Sequence, residues 1–178
     1  MREMRHIAQL FTASSDFDEQ WILLKAYLNT LHSMTDNDAQ AKHTFIGSEL
    51  MNFILVLRNI IHHQPAKWHF GKHDVYPTSL SIKIEQGKSQ VNTTLSLVIQ
   101  KDTLQGVQLQ ERLAKVSKRQ LEVLKKSLEL ISDHAIIVDG LIKQAQEYVE
   151  QYCKDSKQYT ESRDLQPRGY RLLKRVEE

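Results

Sequence analysis

The residues best suited to chemistry lie in one run, Leu57-Arg58-Asn59-Ile60-Ile61-His62-His63-Gln64-Pro65. It closes an apolar stretch that holds Leu50, Met51, Phe53, Ile54, Leu55 and Val56. Charge in such surroundings must find partners or do work, because an unpaired buried charge is costly. Arginine carries a fixed positive charge with five donors, and histidine takes or gives a proton near neutral pH. An arginine, an amide and two imidazoles together suit work on a phosphate, where one group moves a proton and another meets the charge on oxygen.

Spacing decides which of them can meet. On a helix Arg58 and His62 are four apart and adjacent on one face, and Asn59 and His63 are four apart on the neighbouring face. Arg58 and His63 stand about 140° apart around the axis. They converge on one ligand only if the helix end unwinds at His63 or if the long arginine reaches around. Pro65 gives a reason for unwinding, since the position before proline disfavours helical backbone. His62, better placed relative to Arg58 on a straight helix, is the alternative to His63 as proton carrier.

A further set of groups follows. Trp68, His69, Phe70, His73, Asp74 and Tyr76 read as one loop. Its histidines and aspartate are of the types that hold zinc, but their spacing fits no metal signature, and no metal or other cofactor is expected. Trp68, Phe70 and Tyr76 suit stacking on unpaired bases or covering the end of a bundle. His62, Trp68 and His69 are the candidates for substrate contact.

The elements that must position these groups follow from the hydrophobic period. After Ser14-Ser15-Asp16, a cluster of N-cap residues, Phe17, Trp21, Leu24, Tyr27, Leu28 and Leu31 recur at helical spacing. A second helix is expected from Asp36-Asn37-Asp38 to His63, broadly apolar and so the most buried. Around 78–100, alternating Leu80, Ile82 and Ile84, the Gln86-Gly87-Lys88-Ser89 turn and the run Thr93 to Ile99 predict a β-hairpin lying on the helices. One long helix is expected through Leu109, Leu113, Val116, Leu124, Leu128 and Ile131. Another, capped by Ser132-Asp133, is expected through Ile136, Ile137, Leu141, Ile142, Ala145 and Tyr148, either separate from it or continuous with a kink. The expected organisation is a single domain over 1–153 with the hairpin inserted at 78–100, followed by a basic, mostly exposed tail over 154–178.

Composition sets the outer bounds. The chain has 178 residues, 40% hydrophobic and 26% charged, with a net charge of +2. That is an ordinary globular composition, and its charge is too small to argue for nucleic acid without local clustering. No apolar stretch approaches the roughly 20 residues of a membrane span. The single cysteine, Cys153, allows no internal disulfide and supports no cysteine nucleophile. A cytoplasmic protein without membrane attachment is expected.

An arginine, then a polar residue, then a histidine at the end of an apolar helix resembles the motif of the HEPN domain (higher eukaryotes and prokaryotes nucleotide-binding). Arg58 matches the arginine, Asn59 the polar position, and His63 the histidine at the shortest spacing the family allows. The hairpin and the basic tail lie outside the family's common core. The resemblance implies a mainly α fold, an antiparallel four- to five-helix bundle, paired as a homodimer with the two motifs in one composite site. It implies metal-independent endoribonuclease activity in which the RNA's own 2′-hydroxyl attacks the adjacent phosphate. His63 would then be the general acid/base, Arg58 the charge stabiliser, and Asn59 a group that orients the histidine or binds the substrate backbone. Many such domains are toxins or defence effectors paired with an antitoxin protein. Others are non-catalytic modules that bind RNA, nucleotide or protein. Set against both is a purely structural reading in which Arg58 pairs with a carboxylate such as Glu49 or Asp74, or the helix C-terminus simply favours basic groups.

Overall fold

Several helix starts in this chain are set by short polar side chains that accept hydrogen bonds from the first free amides. The computed structural model describes backbone at 2–63, 75–85 and 88–164, and side chains at 2–62 and 96–156. Eight helices and three strands lie in those residues. Helix α1 (Arg2–Ala13) precedes the first expected helix and buries Met4, Ile7 and Phe11. Asp16 then caps α2 (Phe17–Asn37), its carboxylate accepting from the amides of Asp18 and Glu19 at 2.8 and 3.3 Å. The side chain of buried Gln20 joins the two helices, donating to the carbonyls of Ser14 at 2.8 Å and Phe11 at 3.4 Å. Those carbonyls lie at the end of α1, where helical partners have run out.

The second expected helix is two. Asp38 caps α3 (Ala39–Gly47), and α4 (Glu49–His63) starts afresh at a bend of 107°. Ser48 sits between them in extended backbone, its hydroxyl accepting from the amide of Met51 and its carbonyl from Asn52. One serine thus ends a helix and caps the next. Heavy burial is expected of the whole stretch and falls chiefly on α4, where Met51, Phe53, Ile54, Val56, Leu57, Ile60 and Ile61 are buried. It packs on α2, α3 and α7 (Lys118–Leu130), and α2 packs also on α1 and α3.

The expected hairpin is present and longer than 78–100. Strands β1 (Val75–Glu85) and β2 (Lys88–Gln100) pair antiparallel from Val75↔Leu97 to Glu85↔Lys88, with an irregularity between Pro77 and Ser79. Proline lacks the amide a ladder needs, so a register shift beside it is expected. A third strand, β3 (Ala135–Ile137), pairs with the far edge of β2, giving the order β1-β2-β3. This corrects the expectation of helix through Ile136 and Ile137. Consecutive β-branched residues favour a strand, and β2 presents an edge to pair with. The long helix expected through Leu109 to Ile131 is also corrected. After a short α5 (Lys101–Gln105), it divides into α6 (Val107–Val116) and α7, with Ser117 in extended backbone capping α7 through the amide of Gln120. β3 separates α7 from α8 (Val138–Asp164), so those two are not one kinked element. Helix α8 continues past Lys154, where the basic extension was expected to begin, to Asp164.

The fold is therefore mainly helical with a small antiparallel sheet. By internal contacts the chain forms two compact units, Met1–Gln146 and Glu147–Glu178. Among the described residues no single helix is long and apolar enough to cross a membrane, although the bent pair α3 and α4 has the length and composition.

At the start of α8, the side chain of Asp139 hydrogen-bonds buried Ser96 on β2. Burial lifts the Asp139 carboxyl above its ordinary range, opposed by that bond and by its own backbone amide. A carboxyl that holds its proton more tightly when folded makes the native state less stable as pH rises from the unfolded pKa through the folded one. Asp139→Asn keeps the bond to Ser96 and removes that loss. The expected result is a small rise in melting temperature at pH 7 that disappears at about pH 3, where the wild-type carboxyl is protonated in both states. Thermal denaturation at the two pH values checks it.

Candidate functional site

The site lies where α4 meets α2. Arg58 projects from α4 at the border between buried Leu57 and the surface and is partly buried. Its Nε donates to Asn29 Oδ1 on α2 at 3.2 Å, and its Nη1 donates to Asn59 Oδ1 at 3.1 Å. Both acceptors are neutral amides. Among the described residues no carboxylate forms an ion pair with Arg58. Desolvation by burial lowers the guanidinium pKa from its ordinary value, and the charge of Asp36 opposes the shift. Arginine keeps its proton regardless, so the site holds a fixed positive charge that hydrogen bonds orient without cancelling.

This arrangement bears on the structural reading of Arg58. Glu49, one of the two carboxylates named for it, sits at the other end of α4 and ion-pairs with Lys126 of α7. That bond raises the pKa of the exposed Lys126 ammonium. Asp74, the other, lies outside the described residues. Asp36 instead lies 3.6 Å from Nδ1 of His32, one turn earlier on α2.

Around Arg58 is a cavity of about 190 Å³ lined by Lys25, Leu28, Asn29, Arg58, Ile61 and His62. Leu28 and Ile61 give it an apolar floor, and two cations, an amide and an imidazole stand over it. Among the described residues its lining contains no carboxylate. Such a cleft suits an anion, since low-dielectric walls strengthen the field of the cations. A second cavity, of about 460 Å³, lies near the start of α4 among Phe53, Leu130, Ile136, Ile137 and Leu141. It is larger but chiefly apolar, and Glu49 on its wall is already engaged by Lys126.

Of the expected site residues, the structure brings together Arg58, Asn59 and His62. His62 lines the cavity with Arg58, as four-residue spacing on one helix requires. His63 is the last residue of α4, and its backbone stays helical; its side chain lies outside the described residues. The backbone therefore stays helical to His63, and positions 58 and 63 stand about 140° apart around the axis of α4. Trp68 and His69, with Phe70, His73 and Asp74, also lie outside the described residues. Among the described residues no three His, Cys, Asp or Glu side chains come together as a metal site.

Sequence reading missed Lys25 and Asn29. The pair is legible as polar residues four apart on either side of Leu28, at the edge of the apolar face of α2. Nothing in the period of α2, however, says that Arg58 lies against that edge. Comparison with family models, with curated proteins and with solved structures finds no match.

The Asn29 bond yields a direct expectation. Asn29→Ala removes the acceptor of Arg58 Nε–H, so that proton exchanges faster with water, by nuclear magnetic resonance, while the fold is retained. Unchanged exchange at Arg58 Nε would show that Asn29 does not hold the guanidinium.

Proposed function

We propose that this chain is a HEPN-like, metal-independent endoribonuclease that acts as a homodimer, with Arg58, Asn59 and His63 of each copy contributing to a shared cleft. The observation that carries the reading is the guanidinium of Arg58, oriented by two neutral amides in a cleft that has no carboxylate among its described lining residues. A structural arginine is normally neutralised by an acid; a group meant for a substrate anion is aimed and left with its charge.

In the proposed reaction the 2′-hydroxyl of the RNA loses its proton and attacks the adjacent phosphorus. A P–O bond forms to the 2′-oxygen while the bond to the 5′-oxygen breaks, leaving a cyclic 2′,3′-phosphate and a free 5′-hydroxyl. His63 carries the proton, and Arg58 meets the charge that builds on the non-bridging oxygens. Asn59 holds the arginine and His62 contacts the phosphate. DNA, lacking the 2′-hydroxyl, is not cleaved. Because positions 58 and 63 stand about 140° apart around α4, the dimer supplies the meeting of the two groups: Arg58 of one copy works with His63 of the other. Activity of this kind harms the cell that makes it, so the biological setting we infer is a cytoplasmic toxin or defence effector held in check by an antitoxin protein.

The test is cleavage of single-stranded RNA by the purified protein in excess EDTA. Wild type cleaves and leaves cyclic phosphate ends. His63→Ala loses about 10²- to 10⁴-fold in rate, the usual worth of a positioned acid/base, and His62→Ala loses less. Full activity of His63→Ala, or activity only with a divalent metal, overturns the assignment.

A further inference from the structure

The proposed chemistry uses α4 alone, yet the cleft around Arg58 has a second wall. Lys25, exposed on α2, lines the same cavity as Arg58 and His62. Among the described residues neither Lys25 nor Arg58 forms an ion pair with a carboxylate. What holds Lys25 is Trp21, one turn earlier on the same face, whose ring centroid lies 5.3 Å from its Nζ. An ammonium over an indole face is restrained without losing its charge. Two like charges facing one small cavity repel each other, and the arrangement is relieved when an anion enters between them.

The geometry points to Lys25 as a second phosphate-binding cation of this cleft, clamping from α2 the same RNA phosphate that Arg58 meets from α4, with Trp21 as the residue that positions it. The two cations then differ in kind. Arg58 is fixed by Asn29 and Asn59 and presents a directed fork, whereas Lys25 is a point charge on a flexible stem that adapts to the phosphate as its geometry changes. Asn29 stands between them, aiming one without neutralising either. The inference rests on the RNA reading of the site, and its test is independent of cleavage.

The experiment measures binding of the full chain to a fluorescent single-stranded 2′-O-methyl RNA, which cannot undergo attack by its own 2′-oxygen, across a series of salt concentrations. Lys25→Met keeps the apolar stem and removes the charge. It is expected to weaken binding several-fold and to reduce the slope of log affinity against log salt by about 0.7, the value for one lost contact to a single strand. Lys25→Arg restores most of the affinity, and Lys143→Met, which removes an exposed lysine of α8 remote in sequence from the cleft, leaves it unchanged. Trp21→Leu weakens binding less than Lys25→Met and leaves the salt slope intact, because the charge is still present. Circular dichroism confirms that each variant is folded. Unchanged affinity and slope in folded Lys25→Met overturn the clamp, whether or not the protein cleaves RNA. Loss of binding in Lys25→Met, in a protein that cleaves no RNA under any condition, supports the clamp and removes the ribonuclease reading instead.

Discussion

Burial of α4 is the constraint on which the rest depends. Seven of its side chains are withdrawn from water by α2, α3 and α7, so its rotation about its own axis is fixed by packing. A helix so constrained cannot place its polar residues freely. Arg58 and Asn59 occupy what is left of the circumference, and the seam with α2 is where Arg58 emerges. Apolar packing, which carries no chemistry, thereby decides that the guanidinium reaches Asn29 at the seam with α2.

The electrostatics follow from that placement. Partial burial costs the guanidinium some hydration, and hydrogen bonds to two amide oxygens return part of it. Amides accept without bringing charge, so the field of Arg58 survives. At the other end of α4 the opposite solution appears: Glu49 meets Lys126, and two charges cancel on the surface. One helix thus carries a neutralised end and a charged end, and the charged end is the one with a cleft suited to an anion.

Much of this was legible in the chain itself. The cap at Asp16, the apolar face of α2, the greasy α4 with Arg58 near its end, and the hairpin all follow from residue type and period. The breaks at Ser48 and Ser117 did not, because the apolar pattern runs through both and each is made by one residue in extended backbone. A serine can sit inside a helix or cap one, and tertiary packing chooses. β3 was hidden for a related reason: three residues carry no period, and Ile136 and Ile137 become a strand only because β2 offers an edge. Lys25 and Asn29 were hidden because a site shared by two helices belongs to neither sequence segment alone.

The corner at Ser48 has a consequence for how this chain can vary in length. Every residue added to a helix turns all that follows by about 100°. Because α4 restarts at Ser48, residues gained or lost before the corner leave its phase untouched. A single insertion between Ser48 and Arg58 has the opposite result: it carries Arg58 off the Asn29 edge and puts Leu57 there instead. The short span from corner to arginine is thus the ruler that sets the site, and the chain's freedom to drift in length lies outside it.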